Sequence, residues 1–331
     1  MFVLKKAEGA KMTLTELAKL SHVSTSTASK AFALSPEVNE QTRDMIFDVA
    51  KAHGCFKKFY RSEYPGLVFA VICPEFDSTY YAAFISEMQK YLARYNSETA
   101  VASTGFSRET ERRLLEYYQR YHTVDGIILI NGSTEIVQRN EIPIATVNCF
   151  TQSRGVINVK KDLLTPIKET VRVWVEAGIT DIGFIGDPCT NGRRRMMNEA
   201  VTEVIGEVNE DYFVRSTARF ERGGYLGALE LMDREKMPRA VICAYDRLAV
   251  GAMRAFADRG LKIPDDIAIV GIDDAPASSY STPSLSSISH EIEDTCRAVA
   301  NAMFKKIRGE EFESDINIVC KLNRRESSEI K

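Results

Sequence analysis

The chain has 331 residues, a formal net charge of −3, 44% hydrophobic residues and 27% charged residues. This length suggests two or three domains, and the composition is that of a globular protein without low-complexity segments. No apolar run approaches the roughly 20 residues that a membrane-spanning helix needs, and the opening MFVLKKAEGAK is too polar for a secretory signal. We therefore expect a cytoplasmic protein with no membrane partner.

The seven cysteines are odd in number, scattered and never spaced as C-x-x-C, which argues for reduced thiols and against a disulfide framework or a zinc site. There is no GxGxxG after the first strand-like run, and GxxxxGK[ST], HExxH and GxSxG motifs do not occur in the chain. We therefore expect no metal, no catalytic residues and no enzymatic activity.

The segment MTLTELAKLSHVSTSTASKAF, at residues 12–32, predicts two short helices separated by a tight polar turn. Thr13 is placed to cap the first helix, with Glu16 completing a capping box. Ser24 is placed to cap the second helix. The buried face of that second helix would comprise Ala28, Ala31 and Phe32, and its exposed face Thr25, Ser26, Thr27, Ser29 and Lys30.

A third helix is expected from Asn39, with Gly54 suited to its C-terminal stop. Its inner stripe would comprise Thr42, Met45, Ile46, Val49 and Ala50. Residues 1–62 contain 10 Lys/Arg against 6 Asp/Glu, whereas the remainder contains 33 against 40, which suits a domain that meets phosphates. We expect residues 1–54 to form an all-α helix-turn-helix DNA-binding domain.

From residue 67 onward, apolar strand-like runs alternate with amphipathic helical segments. The runs lie at residues 67–74, 99–103, 126–130, 144–148, 156–159, 182–186, 240–244 and 267–272. Continuously apolar strands alternating with helices predict parallel sheets that are covered on both faces. There are too many strands for one ordinary sheet, so we expect an α/β core of two doubly wound subdomains.

Polar and aromatic residues follow several of the predicted strands. They are Glu75–Tyr81, Asp187 with Asn191–Arg195, Tyr245-Asp246, and Asp273-Asp274. In open parallel sheets, ligands bind at the carboxyl ends of the strands. Carboxylates, an arginine and aromatic rings suit a polyhydroxylated ring, because they offer acceptors, a bidentate donor and a flat apolar face. The alternative is that the tyrosines are core aromatics and the arginines a solvated run.

Residues 13–54 resemble the DNA-binding headpiece of the LacI/GalR family of bacterial repressors, from LAKLSHVSTSTASKAF to SPEVNEQTRDMIFDVAKAHG. Later segments resemble family signatures in family order. They are VDGIILI, IPIATVN, EAGITDIGFIG, the stretch from PRAVICAYDRLAVGAMRAFADRGLKIP to DDIAIVGIDD, YSTPSLSSI and LNRRESS. The resemblance therefore spans nearly the whole chain.

The resemblance implies a linker or hinge at residues 55–66 and an effector-binding, dimerising core at 67–331, similar to periplasmic binding proteins. One subdomain is expected at about 67–159 with 291–318, and the other at about 160–290 with 319–331. The implied protein is a homodimeric repressor of carbohydrate-utilisation genes that binds operator DNA and a sugar or sugar-derived effector, with no other cofactor. The alternatives are a repressor that responds to a nucleobase or other non-sugar metabolite, or a solute-binding protein or enzyme with the same core.

The family positions for DNA contacts fall on the second helix. Thr25 and Ser26 match two base-reading positions, and Lys30 matches a third that is usually arginine. Ser24, Thr27 and Ser29 are expected to contact phosphates or to cap the helix. The linker lacks the family's hinge-helix motif. Phe59, Tyr60 and Arg61 would supply a minor-groove wedge and a phosphate contact, or the segment would be a plain tether.

The resemblance also implies effector-binding positions, namely Tyr80, Tyr81, Arg193, Phe220, Asp246 and Asp273. Arg194 or Arg195 is the alternative to Arg193. His290 would make a hydrogen bond at the subdomain crossover or, alternatively, touch the ligand. Tyr245, Met196 and Leu163 replace a usual asparagine, glycine and asparagine, so the effector is not expected to be shaped like the family's best-known sugars.

Overall fold

The computed structural model describes residues 12–33, 35–59, 66–121, 124–136, 138, 142–149 and 155–330. Its N-terminal part contains four helices, which are Leu14–Leu20 (α1), Thr25–Phe32 (α2), Glu40–Ala52 (α3) and Phe56–Phe59 (α4). The first three confirm the predicted helical headpiece.

The predicted caps hold the headpiece helices at their N-termini. The Thr13 backbone N–H donates to Glu16 Oε2 at 2.7 Å, and the Glu16 N–H donates to Thr13 Oγ1 at 3.2 Å, which confirms the capping box. Ser24 Oγ accepts from the backbone N–H of Thr27 at 3.0 Å and caps α2 as expected. Such caps satisfy N–H groups that have no partner within the helix.

The inner face of α3 differs in one residue from the prediction. Ile46 and Ala50, four residues apart, are fully buried, whereas Met45 is 42% exposed. Its assignment to the inner stripe was therefore wrong, because neighbouring residues on a helix point about 100° apart and the Ile46–Ala50 line faces the core. Gly54 follows the helix with φ +65°, a conformation that suits glycine and ends the helix as expected.

The short helix α4 lies within the segment expected as a linker and extends the headpiece core. The ring of Phe32 lies 5.8 Å from the ring of Phe56 and 5.6 Å from that of Phe59, between centroids. Phe47 adds a T-shaped contact with Phe56 at 5.0 Å. Phe59 is thus part of an aromatic cluster in this structure. Tyr60 and Arg61, the other wedge candidates, lie outside the described residues.

The core strands and helices alternate as predicted. The strands are Leu67–Cys73 (β1), Ser97–Ser103 (β2), Gly126–Ile130 (β3), Ile144–Val147 (β4), Ile157–Asp162 (β5), Ile182–Gly186 (β6), Phe213–Arg215 (β7), Ala240–Cys243 (β8), Ala268–Asp273 (β9), Ser286–Ser289 (β10), Asp315–Val319 (β11) and Lys321–Asn323 (β12). The helices are Thr79–Ala93 (α5), Arg108–Tyr121 (α6), Leu164–Glu176 (α7), Asn191–Ile205 (α8), Phe220–Met232 (α9), Asp246–Asp258 (α10) and Ile292–Ile307 (α11).

The strands form two six-stranded sheets, with the orders β11-β5-β4-β3-β1-β2 and β12-β10-β9-β8-β6-β7. Pairing is parallel along β4-β3-β1-β2 and along β10-β9-β8-β6-β7, whereas β12 runs antiparallel to β10. Strands β3, β6, β8 and β9 are buried along their whole length, as expected for parallel sheets covered on both faces. The predicted fold class is therefore confirmed.

Four strands were not predicted, because their sequences carry little apolar signal. Strand β7 has only three residues, and β11 alternates exposed with half-buried residues. Strand β10 is the serine-rich SSIS, whose buried hydroxyls find acceptors far along the chain. Ser286 Oγ donates to the Arg325 carbonyl oxygen at 2.8 Å, and Ser287 Oγ donates to Asp246 Oδ1 at 2.5 Å. Contacts of this kind cannot be read from the local sequence.

The chain divides into two compact units. The first comprises Met1–Phe76, Met88–Asn158 and Val299–Asp315, and the second comprises Asp77–Glu87, Val159–Ala298 and Ile316–Lys331. The second unit thus takes the start of α5 and the start of α11, which we had expected in the first subdomain. Within the second unit, Lys161 Nζ donates a hydrogen bond to the hydroxyl of Tyr80, near the start of α5.

Within the described part of the chain, no helix is both long and apolar enough to cross a membrane. None of the seven cysteines forms a disulfide bond within the described residues.

Helices α9 and α10 pack at backbone contact through two glycines. A Cβ placed on Gly224 would lie 1.8 Å from the carbonyl oxygen of Leu248, and one on Gly251 would lie 1.9 Å from the carbonyl oxygen of Glu221. Both obstacles are backbone atoms, which cannot swing aside as a flexible side chain does. The two helices therefore have to separate if either glycine gains a side chain.

We expect Gly224→Ala to lower the free energy of unfolding by at least about 2 kcal/mol, because overpacking at a rigid contact forces the backbone to move. Urea denaturation followed by circular dichroism measures this change. Leu226→Ala, at a position on the same helix that is 39% exposed, should stay within about 0.5 kcal/mol of the wild type. A Gly224→Ala protein as stable as Leu226→Ala would contradict the close packing.

Candidate functional site

Helix α2 presents a polar face of small side chains. It buries Ala28, Ala31 and Phe32 against the headpiece core. Thr25, Ser26 and Ser29 are exposed, and their side chains make no hydrogen bond within the described residues. Short hydroxyl side chains on an exposed helix face are able to donate to and accept from base edges or phosphates.

Two of the predicted DNA-contact residues are engaged at the start of α2. The hydroxyls of Ser24 and Thr27 lie 2.8 Å apart, and Ser24 also caps the helix. The expectation that they cap the helix is met for Ser24, while any contact with phosphate stays a prediction. Ser24 is the N-cap residue and Thr27 lies in the first turn of α2, where backbone N–H groups favour an anion.

Lys30 forms an ion pair with Glu37 on the surface of the headpiece. Their side chains are 46% and 65% exposed. An ion pair this exposed contributes about 0–1 kcal/mol, so a phosphate or a base acceptor competes with Glu37 at little cost.

A second group of polar residues, here called the Asp273 cluster, lies in the second unit and comprises Tyr80, Lys161, Arg193, Asp273 and His290. Asp273 ends β9, and Arg193 lies in the first turn of α8, which follows β6. The cluster thus gathers at the carboxyl ends of parallel strands, where ligands bind in open α/β sheets. Tyr80, Asp273 and His290 are at most 7% exposed, and the Arg193 side chain is 18% exposed.

Arg193 and His290 both contact the carboxylate of Asp273. Arg193 Nη2 donates to Asp273 Oδ1 at 3.1 Å, and Arg193 Nη1 donates to the Ala244 carbonyl oxygen. His290 Nε2 lies 3.1 Å from Asp273 Oδ1 and 3.1 Å from Arg193 Nη2. Asp273 itself has φ +117°, a strained conformation of the kind that collects at functional sites.

Of the three consecutive arginines, the structure brings only Arg193 into the cluster. Arg194 donates to the Phe213 carbonyl oxygen at 3.1 Å and pairs with Glu210. Arg195 is exposed. The alternatives to Arg193 thus lie away from the strand ends.

His290 is buried and uncharged. Burial, followed by the charge of Lys161, lowers its pKa to about 3. Its ring lies 4.4 Å from that of Tyr80, between centroids. In the described part of the chain its Nδ1 atom has no hydrogen-bond partner. Because a buried polar atom without a partner costs free energy, Nδ1 marks a place where an added polar group would stabilise the structure.

Lys161 is the cluster member that sequence reasoning missed. It lies near the end of β5 and is only 6% exposed, while its neighbour Lys160 is exposed. Its Nζ donates to Tyr80 Oη at 2.7 Å, and burial lowers its pKa to about 8. The signal was present in the sequence as two lysines directly after the apolar run VINV. Because alternate strand residues face opposite ways, one of the two had to point inward.

Tyr245 occupies a position where the family usually has asparagine, and it joins Asp187 to α9. Its hydroxyl donates to Asp187 Oδ2 at 2.6 Å and accepts from the Phe220 backbone N–H at 2.9 Å. Burial raises the pKa of Tyr245, with the hydrogen bond to Asp187 as the next cause, so the hydroxyl keeps its proton. Asp187 also accepts from Arg219 Nε at 3.2 Å. These contacts fix the start of α9, where Phe220 has φ +56°.

Phe220 lies beneath two guanidinium groups. The Cζ atoms of Arg219 and Arg247 lie 4.5 Å and 3.9 Å from the centroid of its ring. Arg247 is held in place by a bidentate pair with Glu221, at 2.6 Å and 2.8 Å. A ligand that stacks on Phe220 therefore shares the ring with these cations.

Asp246 is buried and holds the loop before β10. Its carboxylate accepts from Ser278 Oγ at 2.7 Å, from Ser287 Oγ at 2.5 Å and from the Ala275 N–H at 2.6 Å. Burial, with the charge of Asp273 as the next cause, raises its pKa to about 7. Both oxygens are thus occupied by protein donors, and a direct contact with an effector stays a prediction.

Tyr81 is buried beside Tyr80, with ring centroids 5.2 Å apart. No group of three or more His, Cys, Asp or Glu side chains within the described residues is placed to hold a metal ion.

Comparison with known proteins places the chain among regulators. Residues 171–328 match the family model of the periplasmic binding protein-like domain. The probable HTH-type transcriptional repressor ExuR of Bacillus subtilis (strain 168) is 26% identical over 305 residues, covering 85% of this chain and 87% of that protein. The resemblance to the LacI/GalR family of bacterial transcriptional repressors is therefore confirmed.

Solved structures agree with the LacI/GalR fold. A transcriptional regulator CelR–cellobiose complex superposes with a TM-score of 0.66 at 22% identity, covering 96% of this chain and 100% of that one. A LacI family transcriptional regulator from Enterococcus faecium with bound ribose gives a TM-score of 0.66 at 20% identity, covering 79% of this chain and 98% of that one.

We expect the His290 ring signals to show no titration between pH 8 and pH 5 in an NMR spectrum of histidine-labelled protein. The pKa of about 3 lies below the value of 6.5 for a free histidine, so the unfolded chain takes up a proton first. The contribution of the neutral ring to stability is therefore complete above pH 6.5 and is lost as the pH falls towards 3.

The His290 signal is identified by its loss in His290→Gln. A midpoint between pH 5 and pH 8 for this signal would show that the ring is not buried against Arg193 and Lys161 as described.

Proposed function

We propose that the protein is a sequence-specific transcriptional repressor whose affinity for operator DNA is controlled by a small-molecule effector, with carbohydrate-utilisation genes as its targets. The observation that carries the proposal is the presence, in one chain, of an exposed helix-turn-helix face on α2 and a buried polar cluster at the strand ends of a sheet. The proposal assigns no catalytic step to the chain.

Helix α2 would enter the major groove. Thr25 and Ser26, at its start, would read base edges, and Lys30 would add a third contact after leaving Glu37. Ser24, Thr27 and Ser29 would contact phosphates beside the helix N-terminus. Lysine lacks the planar fork of arginine, so the third contact discriminates less between bases than arginine does.

One headpiece covers too few base pairs for the specificity that a genome requires. We therefore propose a homodimer, in which two headpieces bind the half-sites of a pseudopalindromic operator. A regulator of this kind works in the cytoplasm, where the chromosome lies.

The effector would bind at the Asp273 cluster. Arg193 and Asp273 would bind hydroxyls or charged groups, Tyr80 and Tyr81 would line the site, and Phe220 would stack on the ligand. Asp246 would support the site through its loop or bind directly. Two structural relatives carry sugars, cellobiose in one and ribose in the other, which supports a sugar or sugar derivative here. Binding would shift the population of core conformations and so change operator affinity.

We expect Lys30→Ala to weaken binding to the operator about tenfold or more and to change binding to random DNA much less, because base contacts discriminate by about 1–3 kcal/mol. Fluorescence anisotropy with both DNAs at fixed salt concentration measures the ratio. Lys19→Ala removes a positive charge from α1 and should weaken binding to both DNAs by the same factor. If Lys30→Ala also weakens binding to both DNAs by the same factor, Lys30 does not read bases.

We expect a sugar or sugar derivative to raise the thermal stability of the protein. At a hundredfold excess over its dissociation constant, such a ligand adds about 2.7 kcal/mol of stability. Asp273→Asn should abolish the shift, whereas Asp265→Asn, in an exposed turn, should retain it. Removal of residues 1–62 should abolish DNA binding and leave the thermal shift intact. A shift that survives Asp273→Asn would place the effector elsewhere.

A further inference from the structure

We propose that the Asp273 cluster binds an anionic monosaccharide derivative, a sugar carboxylate or sugar phosphate, and that Lys161 supplies the positive charge that selects it. This inference rests on the proposed function for the location of the effector. It adds the chemical class of the ligand and assigns a specificity residue, Lys161.

Several charged groups are buried together in the Asp273 cluster. Lys161 and Arg193 are cations, while His290 is neutral. Asp273 is the carboxylate that Arg193 contacts, at 3.1 Å. Lys161 has no carboxylate within ion-pair distance among the described residues, and the contact shown for its Nζ is the Tyr80 hydroxyl. Its five members therefore hold two positive charges and one negative charge in a largely buried region.

The two thiols and the tyrosine beside Lys161 carry no negative charge that would balance its own. Burial raises the pKa of the Cys320 thiol to about 11 and also raises that of the Cys296 thiol, so neither is a thiolate at neutral pH. Burial likewise raises the pKa of Tyr80. The carboxyl of Asp246 is near Asp273 and accepts its hydrogen bonds from Ser278, Ser287 and the Ala275 N–H, not from a cation.

A buried ammonium without a counter-ion is costly, and its three N–H groups need acceptors. One of them is satisfied by Tyr80. The lowered pKa of Lys161, about 8, agrees with this environment and still leaves the amine mostly charged at pH 7. An anion in contact with the ammonium would supply both the missing charge and the missing acceptors.

The structure offers a second unsatisfied polar atom in the same cluster. His290 Nδ1 has no partner within the part of the chain that the structure describes, although its ring packs on that of Tyr80. An anionic sugar carries both a charged group and hydroxyls, so one ligand is able to satisfy Lys161 and His290 together. A neutral sugar offers hydroxyls only and leaves the excess charge uncompensated.

The test uses two series of sugars, and the ligands within each series differ only at C6. D-Glucose and D-galactose are titrated calorimetrically into the full-length protein, together with the uronate and the 6-phosphate of each. We expect at least one acidic ligand to bind about tenfold or more tightly than its neutral parent, because charge-assisted hydrogen bonds are worth more than neutral ones. The uronate and phosphate arms show which anion the site takes.

The decisive variant is Lys161→Met, which keeps a long unbranched side chain and removes the amine. It should weaken the binding of the acidic ligand about tenfold or more and leave that of the neutral parent within about threefold. Lys160→Met removes the neighbouring exposed lysine and should change neither value. Circular dichroism and operator binding, measured on both variants, show that they are folded, and Lys161→Gln provides a second test if Lys161→Met does not fold.

The proposal is overturned if no acidic ligand binds, if acidic and neutral sugars bind equally, or if Lys161→Met weakens both to the same extent. Failure of the proposed function gives a different pattern. If a neutral sugar binds and releases the protein from its operator, the proposed repressor function stands and the proposed acidic ligand is rejected. If an acidic sugar binds in a Lys161-dependent manner but the protein binds no operator, the proposed ligand class stands and the proposed repressor function is rejected.

Discussion

The structure of the second unit depends on a group of buried polar and charged side chains that share hydrogen-bond partners. Arg193 and His290 both contact one oxygen of Asp273, and Lys161 lies in the same cluster without a carboxylate of its own. Removing charges from water is expensive, and mutual attraction offsets that cost only when the geometry is good. The neighbouring carboxylate of Asp246 accepts hydrogen bonds from three protein donors. Burial raises its pKa to about 7.

The strand ends that carry these charges are stabilised from outside the cluster. Asp273 and Asp274 both have positive φ, at 117° and 51°. Arg325 Nη2 donates to Asp274 Oδ1 at 2.7 Å, and Asn323 Nδ2 donates to Asp274 Oδ2 at 2.7 Å. The closing segment LNRRESS thus holds the strained end of β9 in place, which gives a physical reason for a signature so far from the site in sequence.

Sequence reasoning succeeded where a structure is determined by neighbours in the chain. The capping box of Thr13 and Glu16 involves residues three apart, and the buried strands β3, β6 and β9 are continuous apolar runs. The two-sheet core followed from counting such runs. The resemblance to a known family then placed Arg193 and Asp273, which the structure brings together.

Sequence reasoning failed where distant residues decide the outcome. The serines of β10 are buried because their hydroxyls donate hydrogen bonds to the Asp246 carboxylate and to the Arg325 carbonyl oxygen. Lys161 is buried because Tyr80, 81 residues earlier, offers an acceptor to its amine. Neither partner is visible in the local pattern. Helix α4 was missed for a similar reason, because its aromatic rings pack against Phe32, which lies more than 20 residues earlier in the chain.

Helix α4 also changes where the DNA-binding module ends. Phe56 and Phe59 cover the ring of Phe32, so the folded module extends to residue 59 and not to the glycine at 54. A fragment cut at residue 54 would leave Phe32 and Phe47 facing water and would be prone to self-association. Between Phe59 and the first core strand at Leu67 there are only seven residues, and this short length restricts the reach of each headpiece from its core. In the proposed homodimer, the length of this connection would limit the spacing of the two DNA half-sites.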